Sequence, residues 1–219
     1  MITFKQIKES KDIKTYIERA DISLNELGYT EHSFAHVGIV AKLAGDLLKS
    51  LKYDQRAIEL TQIAAYMHDI GNVINRIDHA QSGAVMAFRI LDKMGMPAED
   101  IAAIVSAIGN HDEDTAYPVN EIAASLIIAD KTDVRRSRVR NKQPNTYDIH
   151  DRVNHAVSDN KVTIDVENKS ILQELTIDNN TSSVMDYFEI YLHRVQLTRK
   201  AAAYFNMEFH LAINGMSLC

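Results

Sequence analysis

The stretch "AAYMHDIGNVINRIDHAQSGA", from Ala64 to Ala84, puts His68 and Asp69 side by side at the end of an apolar run, with His79 a short way beyond. More residues of the same kind surround it. His32 and His36 lie upstream, His111 downstream, and Asp130 directly follows the apolar "SLIIA". A carboxylate beside such sequence is costly to bury unpaired, and a cation would offset that cost. Neutral imidazoles and carboxylates suit Fe, Mn, Zn or Ni. The only cysteine is Cys219, so no disulfide within the chain and no thiolate metal site can form, and any metal must rest on His, Asp or Glu.

Each residue also has an ordinary reading. A lone histidine at a helix end is usually a partner of the helix dipole, and by that rule His111 alone is structural. Asp130 alone could be a buried hydrogen-bond acceptor, and an adjacent His-Asp pair is a weak signal. The set carries more weight than its members. Several helices and helix junctions each bring a polar residue up against apolar sequence, and a bundle can aim such residues into its core.

The elements that would position them read as follows. Ser10 caps "KDIKTYIERADISLNELG", with Ile13, Ile17, Leu24 and Leu27 as an apolar stripe and Gly28 as the stop. Thr30 or Glu31 opens a second helix with Phe34, Val37, Val40, Ala41, Ala44, Leu47 and Leu48 inward. That places His36 one turn after an exposed His32 on the same face. Asp54 caps a third helix, "QRAIELTQIAAYMHDI", ended by Gly71. A fourth runs from Asp78 to Lys93 and closes at Gly95. Pro97 opens a fifth, "AEDIAAIVSAIGNH". A sixth starts near Pro118 or Asn120 and carries "EIAASLIIADKTDVRRS".

The pattern changes after Asn141. "NKQPNTYD" reads as a loop and "DIHDRVNHAVSD" as a short helix. "KVTIDVENKSILQELTID" alternates like two strands about a turn at Glu167–Lys169. "SSVMDYFEIYLHRVQLTRKAAAYFN" is a long amphipathic helix and "EFHLAING" a last strand. The fold class is therefore mainly α: a helical body over residues 1–140 and a small α+β appendage over 141–219. The long helix reads first as core packing and second as a dimer surface, which leaves a homodimer open. His150, His155, His193 and His210 read as structural.

The composition, 46% hydrophobic and 25% charged over 219 residues, is that of a soluble globular chain. The net charge of -6 argues against general nucleic-acid binding. There is no signal-peptide pattern and no apolar run long enough to cross a bilayer, so the expected location is the cytoplasm and no membrane partner is expected.

The segments "HSFAHVGIVAKLAGDL", "AAYMHDIGN", "HAQSGAVMAFRIL", "IGNHDED" and "LIIADKTDVRR" occur in the order found in the HD-domain metal-dependent phosphohydrolases, which this chain resembles over about residues 30–138. The resemblance implies an HD-type helical bundle. It implies that His36, His68, Asp69 and Asp130 form the basic metal site, that Asp69 bridges to a second metal, and that His79 and His111 bind that second metal, as in binuclear members. The implied cofactor is a divalent metal (Fe, Mn, Zn, Ni or Mg), two per chain, with His68 and Asp69 at the catalytic centre.

The chain also departs from the family. Asn72 stands where a lysine often follows "HDIG". Asn110 precedes His111, and Ala116-Tyr117-Pro118 is only a partial echo of the Gly-Tyr-Pro motif of cyclic-di-GMP phosphodiesterases. "ADKTDVRR" is similar to the diadenosine-tetraphosphate hydrolases of the family.

Two nearby cations lower the pKa of a shared water and stabilise charge on a phosphoryl group, so no protein nucleophile is needed. Phosphate would still need cationic partners. Lys131, Arg135, Arg136, Arg138 and Arg140 crowd the segment after Asp130. If the helix continues, Lys131 and Arg135 share a face. Arginine forks pair with phosphate oxygens, although basic residues also end helices as a solvated face. Asn72, Arg76 and Lys42 are further candidates, and Asp112, Glu113 and Asp133 are candidate proton donors. The expected function is a phosphomonoesterase or phosphodiesterase acting on a small phosphorylated substrate such as a nucleotide. The alternatives are a di-iron oxygenase of the same superfamily and a non-catalytic protein that binds a nucleotide or metal.

Overall fold

The fold is that of a computed structural model, which describes residues 1–113 and 115–219. Side-chain caps set most of the helix starts. Ser10, Ser33, Asp54, Asn120, Asp148 and Ser183 each accept a hydrogen bond from a backbone N–H of the first turn. They open α2 (Lys11–Glu26), α3 (Phe34–Ser50), α4 (Gln55–Met67), α7 (Glu121–Lys131), α8 (Ile149–Ala156) and α9 (Val184–Tyr204). Between α4 and α7 lie α5 (His79–Lys93) and α6 (Ala98–Gly109). A short α1 (Phe4–Glu9) precedes them, held by a capping box of Thr3 and Gln6; it is too short to show a stripe in the sequence. Gly28 and Gly95 take positive φ at helix ends, as their positions predict.

Several expected boundaries move; the short helix expected through Asp159, for one, ends at Ala156, where extended strand begins. The second long helix starts at Phe34, not at Thr30 or Glu31. The Glu31 carboxylate instead accepts a hydrogen bond from the Ser33 backbone N–H at 2.8 Å, which shapes a loop ahead of the cap. His32 therefore precedes α3 and is half-buried in that loop. The sixth predicted helix ends at Lys131. Arg135 lies in extended backbone, so Lys131 and Arg135 do not share a helix face.

The helical body packs α3 against α4 and α7, α4 against α6 and α7, and α5 against α6. Helix α7 is buried from Ile122 to Lys131, as suits a helix that is apolar all round. Its sides serve different clusters. Ile122, Ala123, Leu126 and Ala129 join an apolar cluster with α3, α4 and α6. Ala124, Ile127 and Ile128 join a second cluster built mainly by the C-terminal segment, with Tyr187, Tyr191 and Phe209.

That segment forms β1 (Val157–Asp165) and β2 (Ser170–Ile177), an antiparallel hairpin turned through Lys169 at positive φ. Helix α9 then crosses over to β3 (Glu208–Ile213), parallel to β2, and a two-residue β4 (Met216–Ser217) closes the edge. Strand β2 buries every second residue, Ile171, Gln173, Leu175 and Ile177, against the second cluster. The side-chain amides of Asn160 on β1 and Gln173 on β2 donate to the Thr132 carbonyl, and that of Asn160 also to the Val134 carbonyl. The sheet thus grips the chain just after α7. Among the described residues no helix is long and apolar enough to cross a membrane.

Gly71 is not the left-handed stop that its position after the third predicted helix implied. It lies in a 3-10 turn, Ile70–Val73, with no positive φ. A Cβ there would lie 2.0 Å from the His79 carbonyl oxygen and 2.5 Å from the Gly83 nitrogen, and a Cβ on Gly83 would lie 3.2 Å from the His68 carbonyl oxygen. The two glycines let the turn after α4 lie directly on the first turn of α5, so that His68 and Asp69 meet His79. Gly71→Ala is expected to cost at least about 3 kcal/mol by urea unfolding, because backbone rather than a flexible side chain must give way.

Candidate metal centre

Residues from five places in the chain converge in one buried cluster. His36 comes from the first turn of α3, and His68 and Asp69 from the end of α4. His79 opens α5, His111 follows α6, and Asp130 lies on the last turn of α7. All six are buried, the least so being Asp130 at 8% exposure.

The histidines are oriented by their second nitrogens. The Nδ1 atoms of His68, His79 and His111 lie 2.7, 3.0 and 2.6 Å from the carbonyl oxygens of Ala65, Arg76 and Ile108. That of His36 lies 2.7 Å from Asp133 Oδ2. These acceptors take the Nδ1 proton and turn Nε2 inward, the nitrogen that a metal ligand offers once it has lost its proton.

The Nε2 atoms then meet in pairs, His36 with His68 at 3.3 Å and His79 with His111 at 3.2 Å. Lone pairs at such distances repel unless a positive charge lies near them. Asp69 stands between the pairs. Its Oδ2 is 3.2 Å from His68 and 3.6 Å from His36, and its Oδ1 is 3.5 Å from His79 and 4.0 Å from His111. Asp130 Oδ1 faces the first pair, at 3.3 Å from His36 and 3.7 Å from His68. Asp69 Oδ2 is buried without a hydrogen-bond partner. An unsatisfied carboxylate oxygen among imidazole nitrogens fits a divalent cation. Two ligand groups have the reach for one, His36, His68 and Asp130, and His68, Asp69 and His111.

Around the cluster the charges alternate. Lys131 Nζ lies 2.7 Å from Asp130 and 3.2 Å from Glu113, and Glu113 lies 2.7 Å from Nε of Arg194 on α9. Burial opposes the charge of Lys131, but Asp130 and Glu113 raise its pKa and keep it an ammonium. Burial would raise Glu113, yet Lys131 and Arg194 hold it down at about 2. Asp133 is likewise lowered against its burial, by the His36 hydrogen bond and by Arg138. Glu113 and Asp133 are thus ionised at neutral pH and are poor proton donors, contrary to the expectation from sequence.

The other predicted site residues are dispersed. Asn72 is buried and donates from Nδ2 to Asp69 Oδ1 at 2.9 Å, so it braces a ligand and does not line the cavity over the cluster. Arg76 does line it, with Nη1 3.3 Å from His79 Nε2. Arg135 turns away to Glu31, at 2.6 Å, and Asp133, at 2.9 Å. With Lys42 and Arg136 it lines a separate cavity of about 570 Å³ between α3 and β1. Arg138 is buried and donates to the carbonyls of Glu31 and Asp133, and Arg140 pairs with Asp21.

His32, placed on an exposed helix face by the sequence, lines the cavity instead. Arg194, not singled out by the sequence, also lines it, and His150 and His193 border the cleft outside. The signal for Arg194 was its position on the buried stripe of α9 with Tyr187, Tyr191 and Thr198.

The carboxylates beside His68 favour its imidazolium form. Burial disfavours its imidazolium, but Asp69 and Asp130 outweigh burial and raise its pKa from 6.5 to about 10. The stabilisation from this charge is complete below pH 6.5 and is lost as the pH rises towards 10. Metal uptake at pH 7.5 must displace that proton. Calorimetry in buffers of different ionisation enthalpy is expected to show release of about one proton per chain. Release of none would mean that His68 is neutral without metal.

The family model described as HD domain matches residues 29–136. An uncharacterized protein of Methanocaldococcus jannaschii is 25% identical over 210 residues, which cover 85% of this chain and 80% of that protein. The crystal structure of a predicted HD superfamily hydrolase from an uncultured Thermotogales bacterium is 24% identical. It covers 57% of this chain and 68% of its own, with a TM-score of 0.45. The match to the HD-domain model spans every residue of the buried cluster, from His36 to Asp130, so the segment that carries the candidate metal centre is the one that matches that family.

Proposed function

We propose that this protein is a metal-dependent phosphohydrolase with two divalent metals per chain. The observation that carries the reading is the position of Asp69, with one carboxylate oxygen facing the His36–His68 pair and the other facing His79–His111. His36, His68, Asp130 and Asp69 Oδ2 would hold one metal. His79, His111 and Asp69 Oδ1 would hold the other. When bound, such a pair supplies an activated water and charge stabilisation for a phosphoryl group.

The remaining residues support that chemistry. Asp133 orients His36 through Nδ1, and Asn72 holds Asp69 Oδ1. Such partners set ring orientation and ligand basicity. Lys131 stays charged beside Asp130 on the cavity wall, and Arg76 stands beside His79; both offer N–H donors to an anionic substrate. The substrate class is a phosphate ester of small-molecule size, a nucleotide among them.

The test is metal analysis of the purified protein followed by a screen of phosphate esters and nucleotides with Mn, Mg, Ni, Fe or Zn. Two metals per chain and phosphate release are expected. Asp69→Ala should lower kcat at least about 10³-fold, since several kcal/mol of metal stabilisation are lost. His79→Ala should remove one metal and keep the other. Oxygen-dependent turnover without phosphate release would sink the hydrolase reading. A single metal untouched by His79→Ala would sink the binuclear one.

A second expectation concerns Asp133. Asp133→Asn should weaken metal binding about 10- to 100-fold while the fold persists, because a neutral amide orients His36 less firmly. Unchanged metal affinity by competition with a chelating dye would remove Asp133 from the site.

A further inference from the structure

We propose that α9 forms one wall of the active site, and that Arg194 with Arg76 binds a phosphoryl group of the substrate at the mouth of the His/Asp cavity. This rests on the phosphohydrolase reading above and adds to it a recognition element from outside the matched HD segment.

Two spaces meet at this point. The inner cavity is bounded by Asp69, His79, His111 and Asp130. Outside it lies a cleft of about 560 Å³ between the Leu27–Thr30 loop, the start of α8 and α9. His32, Arg76 and Arg194 line both. The two arginines thus stand where the cleft adjoins the inner cavity. The cleft volume is that of a site for a nucleotide-sized ligand and is too large for phosphate alone.

Arg194 is held without being used up, whereas Arg76 also reaches His79 Nε2 at 3.3 Å and Asp112 Oδ1 at 3.8 Å. The Arg194 guanidinium lies 4.7 Å from the ring centroid of Tyr191, a buried residue whose hydroxyl accepts a hydrogen bond from Asn154. On its inner side only Nε meets Glu113, at 2.7 Å. Neither terminal nitrogen of Arg194 has a hydrogen-bond partner among the described residues. Arg76 is backed by the Tyr29 ring at 5.6 Å. A planar fork fixed by a ring and one carboxylate, with two donors open to a cleft, matches the oxygens of a phosphoryl group. The cleft would then take the rest of the ester.

The competing reading is that Arg194 is only the counter-ion of Glu113. The test uses the full chain loaded with Mn and inorganic phosphate as the probe, titrated by calorimetry, with metal content measured alongside. Arg194→Gln is expected to weaken phosphate binding at least about 10-fold at unchanged metal content. Arg194→Lys keeps the charge opposite Glu113 but lacks the fork, and should fall between. Glu113→Gln should keep phosphate affinity or tighten it, because Arg194 is then released towards the cleft.

Equal losses in Arg194→Gln and Glu113→Gln, or no loss in Arg194→Gln, would overturn the proposal. Turnover of phosphate esters with an unchanged KM in Arg194→Gln would also overturn it while leaving the hydrolase reading intact. Phosphate binding that Arg194→Gln weakens, in a protein whose wild type hydrolyses no phosphate ester, would leave the anion subsite standing and remove the hydrolase.

Discussion

Four imidazole Nε2 atoms and two carboxylates turned towards each other in one buried cluster set the terms for the rest of this molecule. Such a cluster is unfavourable unless its charges balance, and any displacement leaves a buried polar atom unpaired. The surroundings are built to prevent displacement. Each histidine is anchored at Nδ1, three of them by carbonyls one turn back and His36 by Asp133. Gly71 and Gly83 remove the atoms that would keep α5 away. Helix α7 carries Asp130 in on apolar sequence, so the carboxylate has no route to water along its own helix.

The balance extends beyond the cluster in two directions. One chain of charge runs from Asp130 through Lys131 and Glu113 to Arg194. The other runs from His36 through Asp133 to Arg135 and Arg138. Both end in residues that contact the C-terminal segment or the loop it grips. Glu113 and Asp133 are therefore best understood as fixed negative charges. Against burial, Lys131 and Arg194 hold the Glu113 carboxyl below the usual range, and the His36 hydrogen bond with Arg138 does the same for Asp133.

The residues of the cluster were legible in the sequence because each stands beside an apolar run, and because caps and stops are local signals. Asp54, Ser10, Gly28 and Gly95 act within a turn of the helix they bound. What failed depended on contacts distant in sequence. His32 reads as helical because nothing local shows that Arg135, far along the chain, holds the Glu31 carboxylate that closes onto Ser33. Helix α7 ends at Lys131 with no glycine or proline to mark it; the Thr132 hydroxyl takes the Ile128 carbonyl there, and the sheet holds the next residues. Gly71 looked like a stop, yet its need for a hydrogen side chain comes from α5. Arg194 is one cation among several on an amphipathic helix, and only the packing of α9 shows that it faces the cleft.

The two-sided burial of α7 has a consequence for how the molecule comes apart. One stripe of the helix belongs to the helical body and the other to the cluster with α9 and the sheet. Neither part can open without uncovering apolar surface that the same ten-residue stretch lends to the other. Opening of the C-terminal segment would also release the grip on Thr132 and Val134, and with it Asp133. The amides around Asp130 therefore belong to the slowest class of hydrogen exchange, set by global unfolding. The matched 29–136 segment thus shares part of its buried surface with the C-terminal segment.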